Sequence, residues 1–308
     1  MKKVAVANMK GGVGKSTSTM MIADALSLHH GKRVLIIDCD PQSNVSQMIL
    51  SFPGLENARA ANATLTHWVE SFGAGAIVGS HQPEILDVSS TISWGVSGLA
   101  ELKANAKHPP KSKGQVSIWP ATPDLRFAEL AFDHLFFEAG DLASPTRAMT
   151  NYLSGALKEI ESNYDVVIFD CPPGFSTLAQ AALVLSDIIL SPLNVDRVSL
   201  WSLKSFWQKG LSETLDLNNP ESWYAFLTMV QTRRGAEQER VSVRRDLSNF
   251  AKSNKLDLEM PYSVQALRFV RRPALNSFER FNKKYGPVKD HVRRLGDIVV
   301  RILEGVET

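Results

Sequence analysis

The chain has 308 residues, of which 44% are hydrophobic and 21% are charged, and its formal net charge is +2. This composition is typical of a globular protein, and the length suffices for one large α/β domain with a buried core or for two small domains. No apolar run approaches the roughly 20 residues of a membrane-spanning helix, and two cysteines are too few for a disulfide framework or a cysteine-based metal site. The N-terminal apolar run is too short for a signal peptide, so we expect a cytoplasmic protein.

The N-terminal stretch predicts a strand, a glycine-rich loop and a helix, in that order. A strand is expected at residues 2–8 and a helix at residues 16–30, with the loop Lys10-Gly11-Gly12-Val13-Gly14-Lys15-Ser16-Thr17 between them. Such a loop turns backbone N–H groups toward a phosphate chain at a helix N-terminus, and glycine permits the close approach because it has no Cβ. The loop therefore predicts a phosphate-binding site.

Two lysines and a serine give this loop its chemistry. Lys15 would supply positive charge to the β- and γ-phosphates of a nucleotide, and the Ser16 hydroxyl can ligate Mg²⁺. The usual pattern G-x-x-x-x-G-K-[ST] is not met, because Met9 stands where its first glycine would fall. Instead, an additional lysine, Lys10, opens the loop.

The second predicted strand places two acids beside this loop. Residues 33–38 form an almost continuous run of branched apolar side chains, which is typical of a central parallel strand buried on both faces. The run ends in Asp38-Cys39-Asp40-Pro41-Gln42. Because ligands bind beyond the carboxyl ends of parallel strands, we expect the carboxylates of Asp38 and Asp40 to lie next to the phosphates.

Residues 43–115 are less regular in sequence. Helical turns are predicted at residues 46–50 and 63–72, and loops at residues 73–79 and 107–114. We expect this region to be an irregular elaboration of the domain, which serves either as a partner-binding surface or as a passive insertion.

Another acid stands at the end of a further predicted strand. The apolar run before Asp170 predicts a strand, and Cys171-Pro172-Pro173-Gly174 follow it. An acid in this place can hold Mg²⁺ through water.

The rest of the chain continues to alternate between predicted helices and strands. These are a helix at 144–162, a strand at 187–193, a helix from about 198, a strand at 223–229, and helices at 236–254 and 286–303.

Three motifs in this order resemble those of the ParA/MinD family, the P-loop ATPases with a deviant Walker A loop. The motifs are KGGVGKST at residues 10–17, DxDPQ at 38–42 and DxPP at 170–173. Within that family the chain resembles the ParA/Soj-type partition ATPases, and residues 116–125 and 260–278 resemble two further passages.

The resemblance implies an α/β fold of the P-loop NTPase type, with a mostly parallel twisted sheet and helices on both faces. It implies one ATPase domain over residues 1–308. Within that domain we expect the irregular elaboration at about 43–115 and a basic C-terminal region at about 231–308.

The resemblance also implies roles for individual residues toward ATP and Mg²⁺. Lys15 and Lys10 would neutralise charge on the γ-phosphate, with Lys10 reaching across a homodimer interface to the partner's nucleotide, and Asp40 would position the attacking water. The residues expected near the metal are Ser16, Asp38 and Asp170. The expected nucleotide-binding residues are Gly11, Gly12, Val13, Gly14, Lys15, Ser16, Thr17, Gln231, Thr232 and Pro261, the last three near the adenine.

The charge distribution suggests an output for such an ATPase. Residues 231–308 contain 17 lysines and arginines but only 10 acids, and a basic region is a possible electrostatic footprint for nucleic acid. Family members form ATP-dependent dimers that bind double-stranded DNA without sequence preference, associate with the nucleoid and are stimulated by a ParB-like adaptor protein. The DNA-binding candidates in this chain are Arg233, Arg234, Arg240, Arg244, Arg245, Arg268, Arg271 and Arg272. The cargo would be a plasmid, a chromosome or another assembly.

Three alternative functions differ from this one in the sequence features that they need. A MinD-like membrane-associated positioning ATPase needs a free amphipathic C-terminal segment, whereas the last predicted helix has the stripe of a helix docked on the sheet, which argues against a membrane partner. An iron–sulfur carrier needs accessible cysteines, whereas Cys39 and Cys171 lie inside the nucleotide motifs and are expected to be small packing residues. A P-loop kinase or synthetase acting on a small molecule would not need Lys10.

Overall fold

The computed structural model describes residues 1–78, 114–138, 144–217, 219–231, 237–263 and 284–306. Its strands are β1 (Lys2–Val6), β2 (Arg33–Asp38), β3 (Gln115–Trp119), β4 (Val166–Asp170), β5 (Ile188–Asn194), β6 (Trp223–Val230) and β7 (Lys255–Pro261). Its α-helices are α1 (Lys15–His30), α2 (Asn44–Ala60), α3 (Leu65–Val78), α4 (Leu125–Glu138), α5 (Pro145–Glu159), α6 (Thr177–Leu185), α7 (Arg197–Ser205), α8 (Glu237–Ala251) and α9 (Lys289–Glu304). A π-helix, Phe206–Thr214, continues directly from α7.

The seven strands form one parallel sheet in the order β3-β2-β4-β1-β5-β6-β7. The predicted α/β fold with a parallel sheet is therefore confirmed. Strand β4 lies between β1 and β2, and its last residue, Asp170, is in register with Val6 on one side and Asp38 on the other. The carboxyl ends of these three neighbouring strands thus meet at one edge of the sheet, where a ligand would bind.

Alternate residues of each central strand pack into two separate cores, one on each face of the sheet. On one face, Val4, Ile36 and Ile168 pack against α1, α2 and α9. On the other face, Leu35 and Val167 belong to the core that the remaining helices cover. Burial on both faces explains why these strands are continuously apolar in sequence.

Helices α1 and α9 approach each other closely. A Cβ added at Gly296 of α9 would lie 2.5 Å from the Cβ of Ala25 on α1. Of the predicted stripe of α9, Val292, Leu295 and Val299 are completely buried, Val288 is 2% exposed and Ile302 is partly buried. The last helix is therefore docked on the domain, as its sequence pattern predicted. Among the described helices none is both long and apolar enough to cross a membrane.

The structure corrects two predicted elements. Residues 73–78, predicted as a loop, continue helix α3, because α3 runs alongside α4 and tertiary packing overrides the low helix propensity of its two glycines. Helix α2 spans residues 44–60 rather than ending near residue 50. It passes Pro53 by kinking at Ser51, whose φ of 59° and ψ of 170° are not helical.

Strand β7 was not predicted. Its even-numbered residues Leu256, Leu258 and Met260 are buried, whereas Lys255 and Glu259 are partly exposed and Asp257 is exposed. This alternation is that of a strand at the edge of the sheet with one covered face. In the expected elaboration at 43–115, residues 44–60 and 65–78 are helical, whereas the predicted loop at 107–114 lies almost wholly outside the described residues.

Candidate functional site

The glycine-rich loop joins β1 to α1 at the carboxyl edge of the sheet. Gly12 and Gly14 have φ values of 72° and 87°, in the left-handed region that glycine adopts at no steric cost. Helix α1 begins as the Ser18 N–H donates to the Gly14 carbonyl over 2.9 Å. From β6, the Thr228 hydroxyl donates to the Val13 carbonyl over 2.8 Å and fixes the loop against the sheet.

Lys15 points back into its own loop. Its side-chain ammonium donates to the Lys10 carbonyl over 3.0 Å, and only 7% of the residue is exposed. Burial lowers the pKa of Lys15, while the nearby carboxylates of Asp170 and Asp40 act in the opposite direction. The charge of Lys15 is thus held in a partly dehydrated position between the loop and two acids, where it would act strongly on an incoming phosphate.

Asp170 lies at the base of the site and is completely buried. Its Oδ1 accepts a hydrogen bond from the Thr19 hydroxyl over 3.0 Å, and the Ser16 hydroxyl is also hydrogen-bonded with this carboxylate. Its Oδ2 is buried and has no hydrogen-bond partner among the residues that the structure describes. Burial raises the pKa of Asp170 to about 7. A buried carboxylate oxygen with an open coordination site is what a cation would satisfy.

Asp38 accepts hydrogen bonds that order the loop after β2, which contains Asp40. Asp38 Oδ1 accepts from the Asp40 N–H over 3.1 Å, and its Oδ2 accepts from the Ser46 hydroxyl over 2.6 Å. Burial and the neighbouring Asp170 raise the pKa of Asp38 well above its usual value. Both oxygens of Asp38 thus already accept hydrogen bonds, and Asp38 orders the backbone that presents Asp40.

Asp40 is buried at the same edge of the sheet, with 5% of the residue exposed. Its Oδ1 accepts from the Gln42 N–H over 2.8 Å. Burial raises the pKa of Asp40, against the effects of that hydrogen bond and of Lys15. Asp40 and Lys15 thus lie close enough for their charges to interact, as expected for residues that share one site.

Lys10 is held away from its own loop by the start of helix α7. Its ammonium lies 3.0 Å from Oδ1 of Asp196 and donates to the Ser199 hydroxyl over 2.9 Å. Asp196 is also the N-cap of α7 and accepts from the Ser199 N–H over 2.7 Å. The hydrogen bonds to Ser199 and Lys10 keep the pKa of Asp196 below its usual value, against the effect of burial.

An open, mostly apolar pocket lies beside the first turn of α1. Its lining residues come from α1, β6 and the end of β7. They are Gly14, Thr17, Ser18, Met21, Thr228, Met229, Met260, Pro261, Tyr262 and Ser263. Pro261, a predicted adenine contact, thus lines an apolar pocket next to the phosphate loop. Gln231 is exposed just after β6, and Thr232 lies outside the described residues.

The two cysteines are packing residues. Cys39 and Cys171 are 0% and 1% exposed and belong to one of the two cores. Burial raises the pKa of both thiols, which makes them poor thiolate ligands. This matches the expected role of both residues and offers no support for an iron–sulfur carrier.

The arginines proposed for DNA binding are only partly described. Arg240, Arg244 and Arg245 lie on α8, and Arg245 is the most exposed, at 72% of its side chain. Arg240 pairs with Glu237 over 2.7 Å, and Arg244 pairs with Glu259 of β7. The other candidates, Arg233, Arg234, Arg268, Arg271 and Arg272, lie outside the described residues.

Sequence reasoning missed three residues that shape the site: Asp196, Ser199 and Thr228. The pattern Asp-x-x-Ser at residues 196–199 indicates a helix N-cap, and α7 does begin there, but a cap pattern does not reveal a distant lysine. Thr228 stands in an apolar strand and carries no local signal of its contact with the phosphate loop.

A protein-family model described as an AAA domain matches residues 1–218. Two curated bacterial proteins are similar to the chain over about 70% of its length. The sporulation initiation inhibitor protein Soj of Bacillus subtilis is 28% identical over 215 residues, which cover 70% of this chain and 64% of Soj. The chromosome partitioning protein ParA of Myxococcus xanthus is 27% identical over 217 residues, which cover 70% of this chain and 58% of ParA. The chain thus spans less than two thirds of the length of these relatives.

Two solved structures are similar in fold. A putative plasmid partition protein from Borrelia burgdorferi B31 bound to AMPPNP superposes with a TM-score of 0.63 at 18% identity, over 99% of both chains. A cobyrinic acid a,c-diamide synthase from Mycobacterium smegmatis with bound ADP and magnesium gives a TM-score of 0.65 at 20% identity, over 100% of this chain and 98% of the synthase. At these identities the likeness concerns the fold.

Proposed function

The chain belongs to the AAA-domain family, as a P-loop ATPase of the ParA type, and from this premise we propose that it is an ATP-dependent dimerising switch. In the ATP state it binds double-stranded DNA without sequence preference and positions a plasmid, a chromosome or another cargo. A ParB-like adaptor stimulates its hydrolysis of ATP to ADP and phosphate. The ATP-bound protein is cytoplasmic and associated with the nucleoid.

One observation carries the proposal. The phosphate loop, Lys15, Asp40 and the open carboxylate oxygen of Asp170 converge at one edge of the sheet, although they come from three separate strands. Positive charge, backbone N–H groups and water-orienting carboxylates are the parts that phosphoryl transfer requires, because positioning and electrostatics supply most of its rate.

Each residue then has a defined task toward bound ATP. The loop N–H groups hold the phosphates. Lys15, whose ammonium donates to the Lys10 carbonyl in the described structure, moves its donors to the γ-phosphate. Asp40 orients a water molecule for in-line attack, while Asp38 keeps the Asp40 backbone in place. The pocket at Pro261 receives the base.

The donor set fits Mg²⁺. No group of three or more acidic, histidine or cysteine side chains that could hold a metal occurs among the described residues, whereas Mg²⁺ characteristically binds one or two carboxylates together with substrate phosphates. Ser16 and Asp170 would hold it, with Asp38 behind them. When bound, Mg²⁺ neutralises charge that develops on the phosphates.

Dimerisation gives Lys10 its role. In the single protomer, the described hydrogen-bond partners of the Lys10 ammonium are Asp196 and Ser199. Exchange of this pairing for the nucleotide of a second copy would neutralise further charge on the γ-phosphate. Two copies of a weak basic surface would also bind DNA more tightly than one, because the second contact is made at high effective concentration.

The experiment that tests this function is DNA binding by fluorescence anisotropy, with ATP, ADP or no nucleotide, at two salt concentrations. We expect binding with ATP alone that weakens steeply with salt, since Lys and Arg contacts to phosphates release counterions. The control is Lys15→Ala, which removes the phosphate-binding charge. Binding that is equal in all three nucleotide states contradicts the switch, and binding to anionic liposomes in place of DNA favours the MinD-like alternative.

A further inference from the structure

The loop that follows Asp170 is held at both of its ends. It comprises residues 171–176 and runs from the end of β4 to the start of α6. At its start, the Cys171 N–H donates to the Val6 carbonyl over 3.2 Å and continues the sheet. At its end, Ser176 is the N-cap of α6 and accepts from the Ala179 N–H over 3.3 Å. The loop therefore lies at the same sheet edge as the phosphate-binding loop.

A second helix, α4, provides the acids that hold the beginning of α6. Glu129 accepts from the Leu178 N–H over 2.9 Å, and the Ser176 hydroxyl is also hydrogen-bonded with it. One turn further along α4, Asp133 accepts from the Thr177 hydroxyl over 2.8 Å. Carboxylates are favoured at a helix N-terminus because they satisfy free N–H groups and complement the helix dipole.

Among the described residues, the hydrogen bonds of Glu129 go to the beginning of α6. It is 6% exposed, in a place where glutamate is rarely buried unless it is hydrogen-bonded. An apolar residue there would pack in the core at lower cost but would leave the Leu178 N–H without an acceptor. The hydrogen bond from the Leu178 N–H at the beginning of α6 therefore explains why a glutamate is buried at position 129.

Between its two ends the loop is pinned by an aromatic side chain. A Cβ added at Gly210 of the π-helix would lie 2.0 Å from Cζ of Phe175, so the ring rests directly on a glycine. The Phe175 and Phe206 rings are 5.5 Å apart. Gly174, by contrast, has a φ of 110° and no atom within 4 Å of an added Cβ, so the open part of the loop is its centre.

We propose that Glu129 and Asp133 are positioning residues for ATP hydrolysis, which act by holding the loop after Asp170 in place beside the γ-phosphate. The proposal rests on the proposed function, since it assigns these residues to the same site. They do not touch the nucleotide. They fix the first turn of α6, and the six-residue loop between two fixed ends has little freedom left to move away from the phosphates.

The test compares Glu129→Ala with Glu129→Gln, whose amide oxygen can still accept from the Leu178 N–H. Glu56→Ala, at an exposed glutamate of α2, is the matched control. For each variant we would measure steady-state ATP hydrolysis, equilibrium binding of a fluorescent ATP analogue, and hydrogen exchange of the amides of residues 171–178. If Glu129→Ala does not fold, Thr177→Val is used instead. This variant removes only the hydroxyl that donates a hydrogen bond to Asp133.

We expect Glu129→Ala to lower kcat by roughly tenfold, with nucleotide affinity within about twofold of the original, because the loop is misplaced rather than lost. Its loop amides should exchange about tenfold faster. Glu129→Gln should restore both, and Glu56→Ala should change neither. Thr177→Val should show the same separation of kcat from affinity in smaller measure.

The proposal is overturned if folded Glu129→Ala keeps its kcat, if kcat falls without faster exchange of the loop, or if Glu129→Gln is impaired as much as Glu129→Ala. A failure of the proposed function is distinguishable from these outcomes. In that case the unsubstituted protein neither binds nor hydrolyses ATP, whereas the exchange measurement still reports whether Glu129 holds the loop.

Discussion

At the scale of single residues, the site concentrates negative charge before any ligand arrives. Asp38 and Asp170 are both fully buried and are paired across neighbouring strands. Burial raises the pKa of each, and the repulsion between them adds to the effect on Asp38. A site of this kind is less stable empty than occupied, because only a cation or a proton relieves the buried charge.

The first prediction concerns the stability of the ligand-free protein carrying Asp170→Asn. The pKa of Asp170 is raised to about 7 in the folded state, so Asp170 costs no stability below the pKa of the unfolded chain. The cost grows as pH rises from that value, because the unfolded chain ionises first, and it reaches its full size above about pH 7. We expect Asp170→Asn to stabilise the protein by on the order of 2 kcal/mol at pH 8, and the gain to shrink toward pH 4.

Urea unfolding at several pH values in the presence of EDTA measures this gain. Asp187→Asn, at an exposed acid before β5 that accepts from the Lys3 N–H over 2.6 Å, serves as the control for the removal of a carboxylate. A gain that is constant from pH 4 to pH 8 would contradict the assigned direction of the Asp170 pKa.

The second prediction concerns Thr228, which joins β6 to the phosphate loop through the Val13 carbonyl. Thr228→Val removes this bond while it keeps the shape of the side chain, so it should cost about 1–2 kcal/mol of stability. It should also weaken ATP binding severalfold, because the loop loses its attachment to the sheet. The matched control is Thr150→Val on α5, whose hydroxyl donates only to the Thr146 carbonyl over 2.7 Å. Calorimetric titration with ATP measures the affinities, and equal losses in both variants would refute the link.

At the scale of elements, helix α1 begins at Lys15 in the phosphate-binding site and packs along its length against α9, the C-terminal helix of the described structure. In its middle, the buried Asp24 accepts hydrogen bonds from Lys284 and from the Tyr285 hydroxyl. The docking of α9 is thus part of the same core that supports the nucleotide site.

The third prediction tests that docking with Gly296→Ala. Because an added Cβ would lie 2.5 Å from the Cβ of Ala25, the helices must separate, and we expect a loss of about 1–3 kcal/mol. Gly155→Ala on α5, where no atom lies within 4 Å of the added Cβ, should be neutral or slightly stabilising. Thermal unfolding compares the two. A neutral Gly296→Ala would mean that α9 is not docked in solution, and it would revive the membrane-associated alternative.

At the scale of the whole molecule, the near-neutral net charge conceals a basic C-terminal region. The described arginines of α8 differ in their freedom to meet a phosphate backbone. Arg240 is 18% exposed and paired, Arg244 is paired with β7, and Arg245 extends into solvent beside Asp246 at 3.7 Å. Exposed charges contribute most to contacts with DNA phosphates, whereas paired ones also support the fold.

The fourth prediction follows for Arg245→Glu. We expect weaker DNA binding in the ATP state, with a salt dependence reduced by about one or two counterions per dimer, and unchanged ATP binding. Arg244→Glu should weaken DNA binding too, but with a loss of stability from its broken pair with Glu259. Arg147→Glu, an exposed arginine on α5, is the control. Unchanged DNA affinity in Arg245→Glu would remove α8 from the DNA-binding surface.

The sequence by itself determined the parallel sheet and the three motifs at its edge. Each motif is a short continuous segment in which an apolar strand, a loop and its polar residues follow one another, as at residues 10–17 and 170–173. Local chemistry suffices there, because the strand sets the direction of the chain and the residues after it must lie at the carboxyl edge. Strand β7 and the length of α2 were missed because packing against neighbours, not local preference, decided them.

Only the tertiary structure decided which residues meet across the site. Lys10 contacts Asp196 over a separation of 186 residues, and Thr228 contacts Val13 over 215. The raised pKa values of Asp38 and Asp170 likewise come from burial and from the pairing of β2 with β4. Such contacts depend on the order of strands in the sheet and on the desolvation that packing imposes, and neither is encoded in a local stretch of sequence.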